Sequence, residues 1–296
     1  MNEGGNIMEN AKGFKAFDPG LICRGKQYAE NTDYEEADGA ICGKGMMHYC
    51  VNPFDTLNFY DLVGENGKFS DFAEVEALDP PVSGSDGTFA AKKLHIGAKL
   101  SFAGFVKACI DYTKEQTIDN MPKSEIGTGD SAQIGSSGYY AKIGSSGDSA
   151  QIGSSGYYAQ IGSSGDYAKI GSSGDYAQIG SSGNYAQIGS SGDYAQIGSS
   201  GDSAQIGSSG NSAQIGSSGN YAKINSTGED SVICCAGSGS VVKAKAGSWI
   251  TLAEWEYSDE KGRFAPRCVK TEYVDGEKIK ADTWYRLKNG EFEEVR

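Results

Sequence analysis

Between residues 130 and 228 the apolar and polar positions recur with a period of nine. The unit reads [D/N/Y]-[Y/S]-A-[Q/K]-I-G-S-S-G and runs for eleven copies from Asp130 to Gly228, lapsing only at Asn225 and Thr227. Ala in third place and Ile in fifth lie two apart, so an extended segment turns both to one side and Tyr/Ser with Gln/Lys to the other. Two glycines per unit and the lack of a 3.6-residue stripe exclude a helix. The spacing predicts one short strand per copy, beginning at the Tyr/Ser position, with Gly-Ser-Ser-Gly as the corner. Short, faithful repeats of this kind stack into a β-solenoid. One strand and one corner cannot enclose a core, whereas two copies form a flattened coil with Ala and Ile meeting inside. Eleven copies then give between five and six coils, a rod of roughly 25 Å at about 4.8 Å per stacked strand.

Two copies per coil make the two sides different. One carries Tyr140, Tyr158, Tyr176 and Tyr194, followed by Ser212; the other carries Ser131, Ser149, Tyr167, Tyr185, Ser203 and Tyr221, a broken ladder. Tyrosine offers rigid amphipathic area at small entropic cost, so the unbroken ladder Tyr140, Tyr158, Tyr176 and Tyr194 is the candidate binding surface. Stacked rings also stabilise neighbouring coils, and that structural role stands beside the functional one.

The flanks obey other periods. In residues 1–120, Phe14–Phe17, Phe72–Leu78 and Lys92–Leu100 alternate as strands. Asn52-Pro53 is a helix start leading into Phe54–Val63, and Ser101 caps a helix whose Phe102, Phe105, Val106, Cys109 and Ile110 share one face. Residues 238–296 predict strands at Trp249–Tyr257, Cys268–Val274, Thr283–Leu287 and Phe292–Val295, with turns at Asp275-Gly276 and Asn289-Gly290. The expected organisation is mixed: an α+β domain over 1–120, a β-solenoid over 121–237, and a small all-β capping domain over 238–296.

Net charge sharpens this. It is −8 over residues 1–129, −3 over 130–228 and −2 over 229–296. An acidic chain is repelled by phosphate backbones and anionic membranes, so no direct nucleic-acid or membrane partner is expected. Mimicry of nucleic acid remains an alternative, and the acidic N-terminal domain is its better surface. No apolar run is long enough to span a membrane, and the N-terminus lacks a signal-peptide pattern. Seven irregularly spaced cysteines suit reduced thiols, and a cytoplasmic setting is expected.

Specific chemistries fit poorly. Calcium-binding β-rolls need an Asp two places after the second glycine, where this unit has Tyr or Ser, and the first position is Asp in only six copies. Ice binding needs ranks of strand threonines. His48 between Cys42 and Cys50 raises zinc, but no C-x-x-C pair accompanies it. No metal and no cofactor is expected. Arg24-Gly25, the stretch Gly45 to Cys50 leading to Tyr60, and Glu74-Val75-Glu76 together resemble ADP-ribosyltransferases. That resemblance implies Arg24 as the dinucleotide contact, Tyr60 as the nicotinamide-stacking aromatic and Glu76 as the catalytic acid. The family's Ser-Thr-Ser strand is absent, and Glu74 and Glu76 read as solvent-facing strand positions ahead of the catalytic reading.

Taken as a whole, Lys12–Phe17 (KGFKAF), Phe72–Ala77 (FAEVEA), the nonamers and Gly276–Tyr285 (GEKIKADTWY) resemble hypothetical proteins of bacteriophages and prophages. The resemblance implies an intracellular accessory protein without established activity. It favours a non-catalytic protein that binds and inhibits a host protein, an antiviral-defence component among the candidates. A transferase in the N-terminal domain and a structural spacer or virion protein are the alternatives. Identical ladders on separate chains could also pair, giving a homo-oligomer.

Overall fold

A computed structural model describes residues 11–36, 46–64, 67–84, 87–116 and 124–295. They form two compact units, residues 11–64 with 68–105 and residue 67 with those from 106 onward, and the chain passes from one to the other inside α1 (Phe102–Gln116), the one α-helix among the described residues.

The first unit is built on a seven-stranded antiparallel sheet. Its strands are β1 (Lys12–Phe17), β4 (Thr32–Glu35), β5 (Met47–Cys50), β6 (Asp71–Ala77), β7 (Val82–Ser83), β8 (Thr88–Ala91) and β9 (Lys93–Leu100), in the order β4-β9-β6-β1-β5-β8-β7. A short ribbon of β2 (Ile22–Cys23) and β3 (Lys26–Gln27) stands beside it. Alternation places Phe17, Tyr49, Val75, Leu94 and Ile96 in one core, where Tyr28 covers Phe17. The expected strands are present. The Asn52-Pro53 helix is shorter than expected, a 3-10 segment over Pro53–Asn58 in which Asn52 Oδ1 accepts from the Phe54 N–H at 3.1 Å. Ser101 does cap α1, its Oγ accepting from the Gly104 N–H at 3.0 Å.

In the second unit the repeats form a β-solenoid with eighteen residues per coil. Each strand pairs in parallel with the strand two copies later, Ile152 with Ile170 and Ile161 with Ile179. Sheet A contains Lys142–Ser145, Gln160–Ser163, Gln178–Ser181, Gln196–Ser199 and Gln214–Ser217; sheet B contains the intervening strands. Pairing extends beyond the clean repeats in both directions. Ser124–Gly127 precedes sheet A, Val232–Cys235 and Trp249–Leu252 follow it, and Val241–Lys243 extends sheet B, which gives about seven coils instead of five to six.

The strand lies two places later in the unit than its sequence suggests. It comprises Gln/Lys-Ile-Gly-Ser, and the corner is Ser-Gly-Asx-Tyr-Ala. Ala, Ile and the first Ser therefore point inward: Ala186, Ile188 and Ser190 are all fully buried. Serine fits because a narrow coil has room for little more than a methyl at its ends. Its hydroxyl is poorly provided for, since Ser172, Ser190 and Ser208 have no hydrogen-bond partner among the described residues. A buried hydroxyl without a partner carries its full desolvation cost. Ser190→Ala is accordingly expected to raise stability by about 1 kcal/mol, read as a higher urea midpoint. Ser154→Ala should not, because Ser154 Oγ accepts from the Gly156 N–H at 3.2 Å.

The corners explain the other conserved places of the unit. The Asx side chain accepts from the backbone N–H one coil on: Asp166 Oδ1 from Asn184 at 2.7 Å, Asn184 Oδ1 from Asp202 at 2.9 Å, Asp193 Oδ1 from Asn211 at 2.7 Å. Aspartate and asparagine serve this equally, which is why the position is mixed and builds no carboxylate cage. The final glycine is fixed by close approach, as a Cβ on Gly165 would stand 2.0 Å from the Gly147 oxygen.

Two hairpins close the C-terminal end. Trp249–Ser258 turns back as Arg263–Tyr273 on sheet A, and Trp284–Lys288 turns back as Glu291–Glu294 on sheet B. The second turn is Asn289-Gly290, both at positive φ (53° and 74°), the pair that matches strand twist in a tight hairpin. The Glu254 carboxylate accepts from both of their N–H groups at 2.8 Å, tying the hairpins together, and these bonds hold its pKa below the usual carboxylate value.

Candidate interaction surface

The tyrosines sit on a corner of the coil, in the left-handed backbone region, and not on a strand face as the alternation suggested. Tyr140, Tyr158, Tyr176 and Tyr194 have φ of 59°, 57°, 56° and 56°, and the serines at the same place match them, Ser149 at 57° and Ser212 at 54°. A bulky residue there costs on the order of 1–2 kcal/mol, a conformation that glycine or asparagine adopts more readily. Hydrogen bonds between coils hold it, Tyr158 N–H to the Asp175 oxygen at 3.0 Å and Tyr176 N–H to the Asp193 oxygen at 2.9 Å.

The eighteen-residue coil does align these four tyrosines. Ring centroids are 5.1 Å apart for Tyr140 and Tyr158, 4.9 Å for Tyr158 and Tyr176, and 4.9 Å for Tyr176 and Tyr194, with interplanar angles of 12°, 24° and 8°. The ladder is doubled by two residues that sequence reasoning passed over. Tyr139 and Tyr157 replace Asx in first place, stack on each other at 5.4 Å, and meet Tyr140 and Tyr158 edge-on. Their signal was in the sequence, as the only two copies with aromatics in both leading positions. On the opposite corner Tyr167 and Tyr185 stack at 5.0 Å, and Tyr221 stands apart.

This corner changes character along its length. Its first-place residues run Tyr139, Tyr157, Asp175, Asp193, Asn211 and Glu229, aromatic at one end and acidic at the other. Packing of the rings removes water from Tyr139, Tyr157 and Tyr176 and pushes their hydroxyl pKa values up, with neighbouring phenols adding to the effect. Rings stacked on one another offer edges and hydroxyls to a partner, and few open faces. A sugar ring, which packs on an aromatic face, finds little purchase; a protein surface of mixed polarity is matched.

Among the residues of the transferase resemblance, Arg24 and Tyr60 come together and Glu76 does not. Arg24 lies at the tip of the β2–β3 turn with φ 50°. Tyr60 donates from its hydroxyl to Cys23 Sγ at 3.2 Å, and burial pushes its pKa up. Behind them Lys15 is buried, donates to the His48 carbonyl at 2.8 Å, and has its pKa lowered by burial. Glu76 pairs in register with Lys12, at the opposite end of β1 from the Phe17–Asp71 pair, about 16 Å away along the strand. Asp18 and Asp71 are carboxylates at the Arg24 end; Asp18 helps to raise the Tyr60 pKa, and Asp71 is already engaged by the Gly20 and Leu21 N–H groups at 2.7 and 3.0 Å. Glu74 and Glu76 both face solvent.

Among the described residues no three His, Cys, Asp or Glu side chains gather as a metal site; Cys42 lies outside those residues. No helix there is long and apolar enough to cross a membrane. Residues 11–108 match a family described as Domain of unknown function (DUF7666). No curated protein and no solved structure matches the chain.

Proposed function

We propose that this is a phage-encoded, non-catalytic protein that binds a host protein in the cytoplasm, a component of antiviral defence, and holds it inactive, with the tyrosine corner as the contact surface. The observation that carries the reading is the conformation of the ladder. A corner that glycine or asparagine would occupy at lower cost holds tyrosine in seven of eleven copies, and four of these are consecutive on one edge. Stacking offsets part of that cost; display of six exposed or half-exposed rings along one edge accounts for the choice of tyrosine over serine. The phage setting rests on the likeness of the KGFKAF, FAEVEA and GEKIKADTWY segments to phage proteins.

Serine already occupies the same backbone geometry in four copies, which gives a clean test. Tyr158→Ser, Tyr176→Ser and Tyr194→Ser combined should leave the thermal transition within a few degrees of the parent. Recovery of the partner from host lysate, quantified by mass spectrometry, should fall at least tenfold. Equal recovery by parent and variant would remove the corner from the interface, and recovery of no specific partner by the parent would remove the binding function itself.

A further inference from the structure

The sixth residue of each unit faces outward, and on sheet A it leaves a channel floored by glycine. Gly144, Gly162, Gly180, Gly198 and Gly216 line up between Ile126 at one end and Cys234 at the other. A row of glutamines, Gln160 to Gln214, borders an open, shallow groove of about 1130 Å³ along these glycines, and on their other side the serines line a second open hollow of about 650 Å³. Six strand spacings make it about 29 Å long.

Nothing in the fold requires these glycines. A Cβ at Gly162, Gly180, Gly198 or Gly216 would meet no atom within 4 Å, and glycine in a strand interior weakens the strand. The same position on sheet B has a different environment. There a Cβ on Gly153 would stand 3.2 Å from Ile110 Cα and 3.3 Å from the Thr113 side chain, because α1 beyond Val106 lies directly on the glycine. The flanking Gln151 and Lys169 are buried, whereas their sheet A counterparts Gln160 and Gln178 are exposed. One nonapeptide thus builds two like surfaces: α1 rests on sheet B at Gly153, and among the described residues nothing covers the glycines of sheet A.

We propose that the sheet A groove is a docking seat for one α-helix of a protein partner, laid along the glycine channel. The chemistry of the seat defines the helix. Backbone-close packing on glycine calls for small or β-branched side chains at i and i+3, as Ile110 and Thr113 supply on sheet B. Glutamine walls call for an uncharged polar flank. Exposed Lys142 near the Ile126 end calls for a carboxylate there. About nineteen residues at 1.5 Å each fill the channel. The seat stands independently of the tyrosine corner.

The probe is a dye-labelled, helix-stapled peptide of residues 102–116 of this chain, titrated against the full-length protein by fluorescence anisotropy. Saturable binding is expected. Gly180→Leu with Gly198→Leu, which fill the channel without touching the fold, should weaken it at least tenfold while circular dichroism and thermal midpoint hold; Gly180→Thr serves as a milder second variant. Tyr176→Ser should leave the affinity unchanged. Absence of binding at millimolar protein overturns the proposal. So does binding indifferent to both groove variants, the result if the peptide displaced α1 from Gly153, or binding lost equally in Tyr176→Ser.

Discussion

Gly183→Ala is expected to destabilise the solenoid by about 3–5 kcal/mol, while Gly180→Ala, three residues earlier, costs nothing measurable or stabilises slightly. The added Cβ at Gly183 would lie 1.9 Å from the Gly165 oxygen and 2.4 Å from its carbonyl carbon. Neither can retreat. The two corners are clamped by Ser182 N–H to the Ser163 oxygen at 3.0 Å, Asn184 N–H to Asp166 Oδ1 at 2.7 Å, Tyr167 N–H to the Asn184 oxygen at 2.8 Å and Gln187 N–H to the Ala168 oxygen at 2.9 Å. Relieving the overlap means lengthening several of these bonds together. Urea unfolding monitored by circular dichroism compares the two variants directly. Equal midpoints would mean that the coils are not held at this spacing.

Ile188→Ala should cost about 2–5 kcal/mol, and Ile134→Ala clearly less. Ile188 is fully buried, stacked between Ile170 and Ile206 on its own sheet, in a core to which Ile179 and Ile197 of the facing sheet belong. A coil this thin has no second layer of side chains to collapse into the vacancy. Ile134 belongs to the first strand of sheet B, has a neighbour on one side only, and keeps some exposure. Because each coil contacts only its neighbours, a lesion at the centre divides the stack whereas one at the end shortens it. Thermal melts of the two variants test the difference, and equal losses would contradict nearest-neighbour stacking.

The eighteen-residue coil was legible because Ala and Ile mark the inward face without ambiguity, and the alignment of Tyr140, Tyr158, Tyr176 and Tyr194 followed from it. The strand boundary was not. In sequence the two glycines of Gly-Ser-Ser-Gly look alike, and both suggest a turn. Packing separates them: Gly183 abuts the previous corner's carbonyl, whereas Gly180 lies in open strand. The first serine looked like a loop residue and is core. Tyrosine looked like a strand residue, since nothing local signals positive φ for an aromatic; the corner is imposed by stacking. The extra coils were hidden because Val232–Cys235 and Val241–Lys243 keep the inward residues while discarding the motif. In the first unit, E-x-E was a real strand signal, but only the register shows that Glu76 is remote from Arg24.

Pairing at an interval of eighteen also gives the array a parity. Gain or loss of two units lengthens or shortens the stack and keeps every later strand on its own sheet. A single-unit change exchanges the sheets for everything downstream. The Trp249–Tyr273 hairpin would then extend the sheet on which α1 rests, and the run from Tyr140 to Tyr194 would break at the point of change. Repeats this similar recombine readily, so an in-frame slip of one unit is a rearrangement of surfaces, and a slip of two is only a change of length.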